Sequence, residues 1–242
     1  MWLIIADAHD AEANWLYVGL KQKGIANLHY LLPEELLGEY ESGLQNSIGI
    51  SDTNSNSEPG LNLGGDKIHG VINRMVNIPA KFLDRFHDAD RTAIQQEWHA
   101  GFRRWLFSLS CPVFSPPSAE LPQNAQLDPI EWARQARRAG FQVRPHDKNP
   151  AAAAVSEDPA EKAFMLIVFN QRVIAPRKIQ EPIQTNCLNL ARQVGTNLLG
   201  IELASSENGE LEFVTASFVP ALHRCGDILL ESMAADLAAL VA

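Results

Sequence analysis

The turn after the first apolar run, Asp7-Ala8-His9-Asp10, sets two carboxylates and an imidazole within four residues. In open α/β sheets ligands are received at the carboxyl ends of the strands, so Asp7 and His9 stand where a ligand is bound. Asn73 and Arg74 end a later apolar run, and a guanidinium there takes a carboxylate or phosphate through paired hydrogen bonds. These four residues form the candidate substrate-binding set. The first turn contains no glycine, which a dinucleotide pyrophosphate needs for close approach of backbone amides, so Rossmann-type cofactor binding is not expected. The sequence also lacks a GxxxxGK[ST] loop and a GxSxG elbow, which removes P-loop NTPase and triad hydrolase chemistry. His223-Arg224-Cys225, even with Cys187, falls short of a zinc ligand set, and no metal is expected there. His99 follows Glu97 by two positions, which point in different directions on a helix. It reads as a solvated member of the row Arg91, Gln95, His99 and Arg103. Arg134, Arg137, Arg138 and Arg144 read as a solvated helix face.

The elements that must carry these residues begin with a βαβ start. Trp2 to Ala6 is an apolar strand, Asp10 caps a helix ending at Gly24, and Leu28, Tyr30 and Leu32 alternate in a second strand. Residues 42–65 carry turn chemistry and read as a long surface loop. A buried strand follows from Lys67 to Arg74, then a helix over 88–108 with Ile94, Trp98, Phe102 and Trp105 on one stripe. Cys111 to Phe114 is a short strand. Asp128-Pro129-Ile130-Glu131 opens a helix that stops at Gly140, and residues 141–144 form a further short strand. Residues 147–162 read as a linker. Beyond it the pattern predicts one strand from Ala163 through Asn170 continuing to Ile174, a helix over 182–195, strands over 198–203 and 211–216 joined by a Ser205–Gly209 turn, and a last helix over 226–241.

The expected architecture is therefore α/β in residues 1–146, an open, mostly parallel sheet with flanking helices. After the linker at 147–162, residues 163–242 are α+β, a smaller antiparallel sheet with helices. With 242 residues and 46% hydrophobic content the chain buries a substantial core. Twenty Lys+Arg against 29 Asp+Glu leave a charge of −9, which opposes binding to nucleic acid or an anionic membrane. The apolar start is six residues long and runs into Asp7, too short for a signal peptide or a membrane span, so a cytoplasmic location is expected. Three widely spaced cysteines, Cys111, Cys187 and Cys225, predict reduced thiols.

The segment Gly70-Val71-Ile72-Asn73-Arg74, followed by Gln96-Glu97, Trp105-Leu106 and Cys111-Pro112-Val113-Phe114-Ser115-Pro116-Pro117, resembles the pre-ATP-grasp region of RimK-type ATP-grasp ligases. Ser115 stands where that pattern prefers Asn. The C-terminal stretch is similar to the end of the same enzymes through Pro220, Leu222, Arg224 and Gly226. There the resemblance assigns Glu202 to the first metal-binding acid, while Thr215 and Ser217 occupy the places of a metal-binding Glu and Asn. Magnesium requires hard anionic oxygens in near-octahedral geometry, which neutral hydroxyls do not supply. The resemblance also implies a nucleotide-clamping subdomain between the two matched regions, and the sequence between them is too short to hold one.

The resemblance thus implies a degenerate, truncated ATP-grasp protein, a non-catalytic accessory or binding subunit without cofactor. Its partners would be a second copy, an intact ATP-grasp ligase, or a peptide or small-molecule ligand. Two alternatives follow from the same residues. One is an ATP-dependent carboxylate-amine ligase working through an acyl-phosphate, with ATP and Mg, completed by another chain. The other is a small-ligand binder using the crevice near Asp7, His9 and Arg74.

Overall fold

The computed structural model describes residues 1–33, 35, 67–75, 80–115, 127–144, 163–206 and 208–241. The surface loop at 42–65 and the linker at 147–162 expected from the sequence lie outside these residues. By contacts the chain divides into two units, Met1–Asn124 with Leu237–Ala242, and Ala125–Asp236.

The first unit is built on a parallel sheet of β1 (Trp2–Ile5), β2 (Leu28–Leu31), β3 (Gly70–Asn73) and β4 (Val113–Phe114), in the order β2-β1-β3-β4. All four residues of β1 and of β3 are buried, as strands covered on both faces require. Helix α1 (Ala11–Gln22) follows β1, and α2 (Ala80–Leu83) and α3 (Asp88–Ser108) follow β3. Leu3, Ile5 and Val71 share one core cluster with Phe102, Trp105 and Leu106 of α3. His99 is 6% exposed, so it belongs to the buried stripe of α3 and not to the solvated row expected from the sequence. A four-residue step carries it only about 40° around the helix from the residue before it in the row, and a broad apolar face absorbs that offset.

The second unit carries an antiparallel sheet of β5 (Phe164–Phe169), β6 (Arg172–Ile174), β7 (Leu198–Ser205) and β8 (Leu211–Ser217), ordered β6-β5-β7-β8. The expected continuous strand from 163 to 174 is two strands. Asn170 and Gln171 both take positive φ, 46° and 63°, and close a two-residue hairpin that pairs Phe169 with Arg172. Asn-Gln lacks the glycine that usually marks such a turn, which is why periodicity alone ran through it.

Helix α4 (Pro129–Ala139) starts at Asp128, whose carboxylate accepts from the Glu131 amide at 2.8 Å, and stops at Gly140 with φ 100°. Trp132, Ala136 and Ala139 of α4 pack with Cys187 and Leu190 of α5 (Glu181–Gln193) against Leu166, Leu199, Ile201 and Phe213 of the sheet. The segment after α4 makes a single parallel bridge, Val143 to Phe213, at the β8 edge. Both α4 and this segment group by contacts with the second unit. The reason is the apolar face of α4, which covers the antiparallel sheet. A 3-10 turn (Leu222–Cys225) leads into α6 (Gly226–Ala239). Among the described residues no helix is long and apolar enough to cross a membrane.

Candidate functional site

At the carboxyl end of the parallel sheet, the Arg74 amide donates to the Ile5 carbonyl at 2.8 Å, which extends the β1–β3 pairing by one residue. That register aims the Arg74 side chain at the start of α1. Its Nε donates to Asp10 Oδ2 at 2.8 Å and its Nη2 to Asp10 Oδ1 at 3.3 Å. The two side chains are 3% and 16% exposed. Asp10 Oδ1 also accepts the Glu12 and Ala13 amides at 3.0 Å each, so one carboxylate caps α1 and neutralises the guanidinium. Asn73 is likewise committed to the scaffold. Its Nδ2 donates to the Ser115 carbonyl at 3.1 Å and its Oδ1 accepts from the Met75 amide at 3.1 Å, tying the ends of β3 and β4 together.

Asp7 and His9 are exposed. Asp7 Oδ1 accepts from the His9 amide at 2.8 Å, and the Asp7 carbonyl accepts from the Tyr30 hydroxyl at 2.7 Å. Burial pushes the Tyr30 phenol up to about 12, helped by the Asp10 and Asp7 carboxylates and opposed by Arg74. Tyr30 is thus a fixed donor and not a general base. Of the four residues singled out in the sequence, Asp7 and His9 face solvent, while Asn73 and Arg74 hold internal partners. Asp10 was legible as a helix cap, but nothing in the sequence marked it as the partner of a residue 64 positions away.

In the second unit the strand register brings Glu202, Thr215 and Ser217 together. Glu202 pairs with Thr215 and Gly200 with Ser217, so all three side chains project from one face of the β7–β8 ladder. A Cβ on Gly200 would lie 2.4 Å from Pro220 Cβ, so only glycine lets the chain after β8 fold back over β7 here. That close approach carries Arg224 to Glu202. Its Nη1 donates to Glu202 Oε1 at 2.9 Å, and its Nη2 donates to the Ala163 carbonyl at 3.3 Å. Ser217 Oγ accepts from the Val219 amide at 3.1 Å.

These residues do not fit a magnesium–nucleotide centre. The set offers one carboxylate, already neutralised by a guanidinium, and two neutral hydroxyls, one of them already accepting a backbone amide. Among the described residues no group of three His, Cys, Asp or Glu side chains is placed to hold a metal ion. Cys225 donates to the Met165 carbonyl at 3.5 Å while Cys187 packs in the sheet core, so the cysteines form no ligand pair.

No protein-family model matches the sequence, and no curated protein matches it either. Solved structures do match its fold from end to end. The ATP-grasp ligase PsnB complexed with minimal precursor superposes with a TM-score of 0.65 at 12% identity, covering 99% of each chain. The macrocyclase MdnC bound with precursor peptide MdnA, from Microcystis aeruginosa MRC, gives 0.66 at 12% identity over 98% of this chain and 99% of that one. A Chryseobacterium gregarium RiPP-associated ATP-grasp ligase, in complex with ADP and a leader and core peptide, gives 0.61 at 13% identity over 97% and 96%. With its parallel-sheet unit followed by an antiparallel-sheet unit, the chain has an ATP-grasp-like fold.

Proposed function

We propose that the chain is a non-catalytic ATP-grasp-like protein, a cytoplasmic accessory or binding subunit that uses neither ATP nor magnesium. The observation that carries this reading is the Arg224–Glu202 ion pair at 2.9 Å beside Thr215 and Ser217. With hydroxyls where the resemblance expects a Glu and an Asn, a single carboxylate already paired with a guanidinium is too little anionic charge to hold a divalent metal. The resemblance-based absence of a nucleotide clamp agrees with it. The ligand of such a subunit is a peptide or a small molecule, and its protein partner is a second copy or an intact ligase. Titration calorimetry with ATP and magnesium, together with an ADP-release assay, tests the reading. It predicts no saturable heat and no turnover.

A second reading is a carboxylate-amine ligase completed by another chain. It is favoured by the end-to-end fold match to ligases solved with peptides. Co-expression with neighbouring gene products followed by native mass spectrometry and the same ADP-release assay separates the two. The ligase reading requires turnover to appear in the complex.

A further inference from the structure

The second unit holds a cavity of about 290 Å³ at the β6 edge of the sheet, bordered by Arg172 and Ile174 of β6, the following Arg177 and Lys178, Gln184 of α5 and Ser232 of α6. Among the described residues no acidic one lines it, in a chain whose net charge is −9. Arg177 and Lys178, set beside a third cation at Arg172, run against the field of the whole molecule and select for an anion. Arg172 is partly spoken for, since its Nη1 donates to Asp236 Oδ1 at 2.7 Å. Arg177 and Lys178 are exposed and have no ion-pair partner among the described residues. The Arg177 guanidinium lies 3.6 Å from the Phe164 ring centroid, which holds it in place and leaves its N–H edge for a ligand. The carboxylates nearest in sequence, Glu181 on α5 and Asp227 and Glu231 on α6, are absent from the lining.

The backbone beside the cavity is open as well. Among the described residues β6 is an edge strand, paired with β5 alone. In a two-residue hairpin the residues flanking the turn exchange their hydrogen bonds, so Arg172 and Ile174 turn their backbone groups toward β5 and Val173 turns its amide and carbonyl outward. Neither group of Val173 has a partner among the described residues. A free phosphate would use only the cations. An extended chain would use the cations and the strand edge together.

We propose that the β6 edge and this cavity dock an acidic peptide segment in extended conformation, pairing with Val173 and placing side-chain carboxylates against Arg177 and Lys178. The site does not involve Glu202 and stands whether or not nucleotide is used.

Fluorescence anisotropy with the full chain tests it. The probe is a labelled peptide of about eight residues alternating Glu and Val, long enough to span a typical strand. The comparison probes are the Gln-for-Glu peptide, the same acidic peptide with alternate backbone amides N-methylated, and inorganic phosphate as competitor at matched ionic strength. The acidic peptide should bind about tenfold more tightly than the Gln version, the sum of two exposed charge contacts. Arg177→Gln with Lys178→Gln, both surface changes, should remove that advantage, and N-methylation should weaken binding. Equal affinity for the acidic and neutral peptides, or wild-type affinity in the double variant, overturns the proposal. So do absence of acidic-peptide binding and a pattern in which N-methylation has no effect while phosphate displaces the peptide, since that pattern marks a simple anion site.

Discussion

The Asp10–Arg74 pair makes a quantitative prediction about the first unit. Removing one partner of a buried, hydrogen-bonded ion pair costs about 3–5 kcal/mol because a charge stays behind without its counter-charge. The two sides of this pair are unequal. With Arg74→Met, the carboxylate left behind keeps the Glu12 and Ala13 amides and is 16% exposed, so the loss falls to about 2–3 kcal/mol. With Asp10→Ala, a guanidinium only 3% exposed loses its contacts to the Asp10 carboxylate and α1 loses its cap, worth about a further 1 kcal/mol. Asp10→Ala should therefore cost about 4–6 kcal/mol, and Asp10→Asn, which keeps a capping oxygen, about 1 kcal/mol less. Urea unfolding followed by tryptophan fluorescence reads these values. Trp2, Trp15, Trp98 and Trp105 lie in the first unit and Trp132 in the second, so a Trp132→Phe background isolates the first. If Arg74→Met proves neutral, or costs more than Asp10→Ala, the reasoning fails.

Three further outcomes are expected. Gly200→Ala forces a Cβ to 2.4 Å from Pro220 Cβ and should destabilise the second unit by about 1–3 kcal/mol, seen as an earlier Trp132 transition in urea; an unchanged midpoint refutes the close packing. Burial pushes the Cys187 thiol up to about 12 and the Cys225 thiol up to about 11, the latter opposed by Arg224. At about pH 8 iodoacetamide should modify the half-buried Cys111 first and reach the other two only in denaturant, and rapid native labelling of Cys187 would contradict their burial. Burial, and then the charge on Arg103, lower the His99 pKa below 6.5. The unfolded chain thus binds the proton more readily, and the first unit should lose stability as pH falls from 6.5 through the lowered value. His99→Phe should flatten that part of the pH profile, and an unaltered slope would show that other groups cause it.

The elements were largely legible because their signals are local. Asp10 and Asp128 cap the helices they were read to cap, Gly140 takes the left-handed conformation that ends α4, and the apolar run at 70–73 is a fully buried strand. What escaped depends on pairing across the chain. The resemblance gave Glu202, Thr215 and Ser217 as metal positions, but the register that sets Glu202 opposite Thr215, and its pairing with Arg224 where the chain passes close to Gly200, are read only from the structure. The Asn170–Gln171 turn was hidden because two residues with side chains adopt a conformation usually marked by glycine. His99 was misplaced because sequence spacing alone does not reveal how wide a buried helix face is.

The acid at the expected metal position is held by an arginine, with hydroxyls at the two neighbouring ligand places. Calorimetric titration of the purified chain with ATP and magnesium tests it most directly. No saturable heat is expected up to about 1 mM nucleotide. Magnesium-dependent ATP binding in the micromolar range, lost on Glu202→Gln, would contradict it.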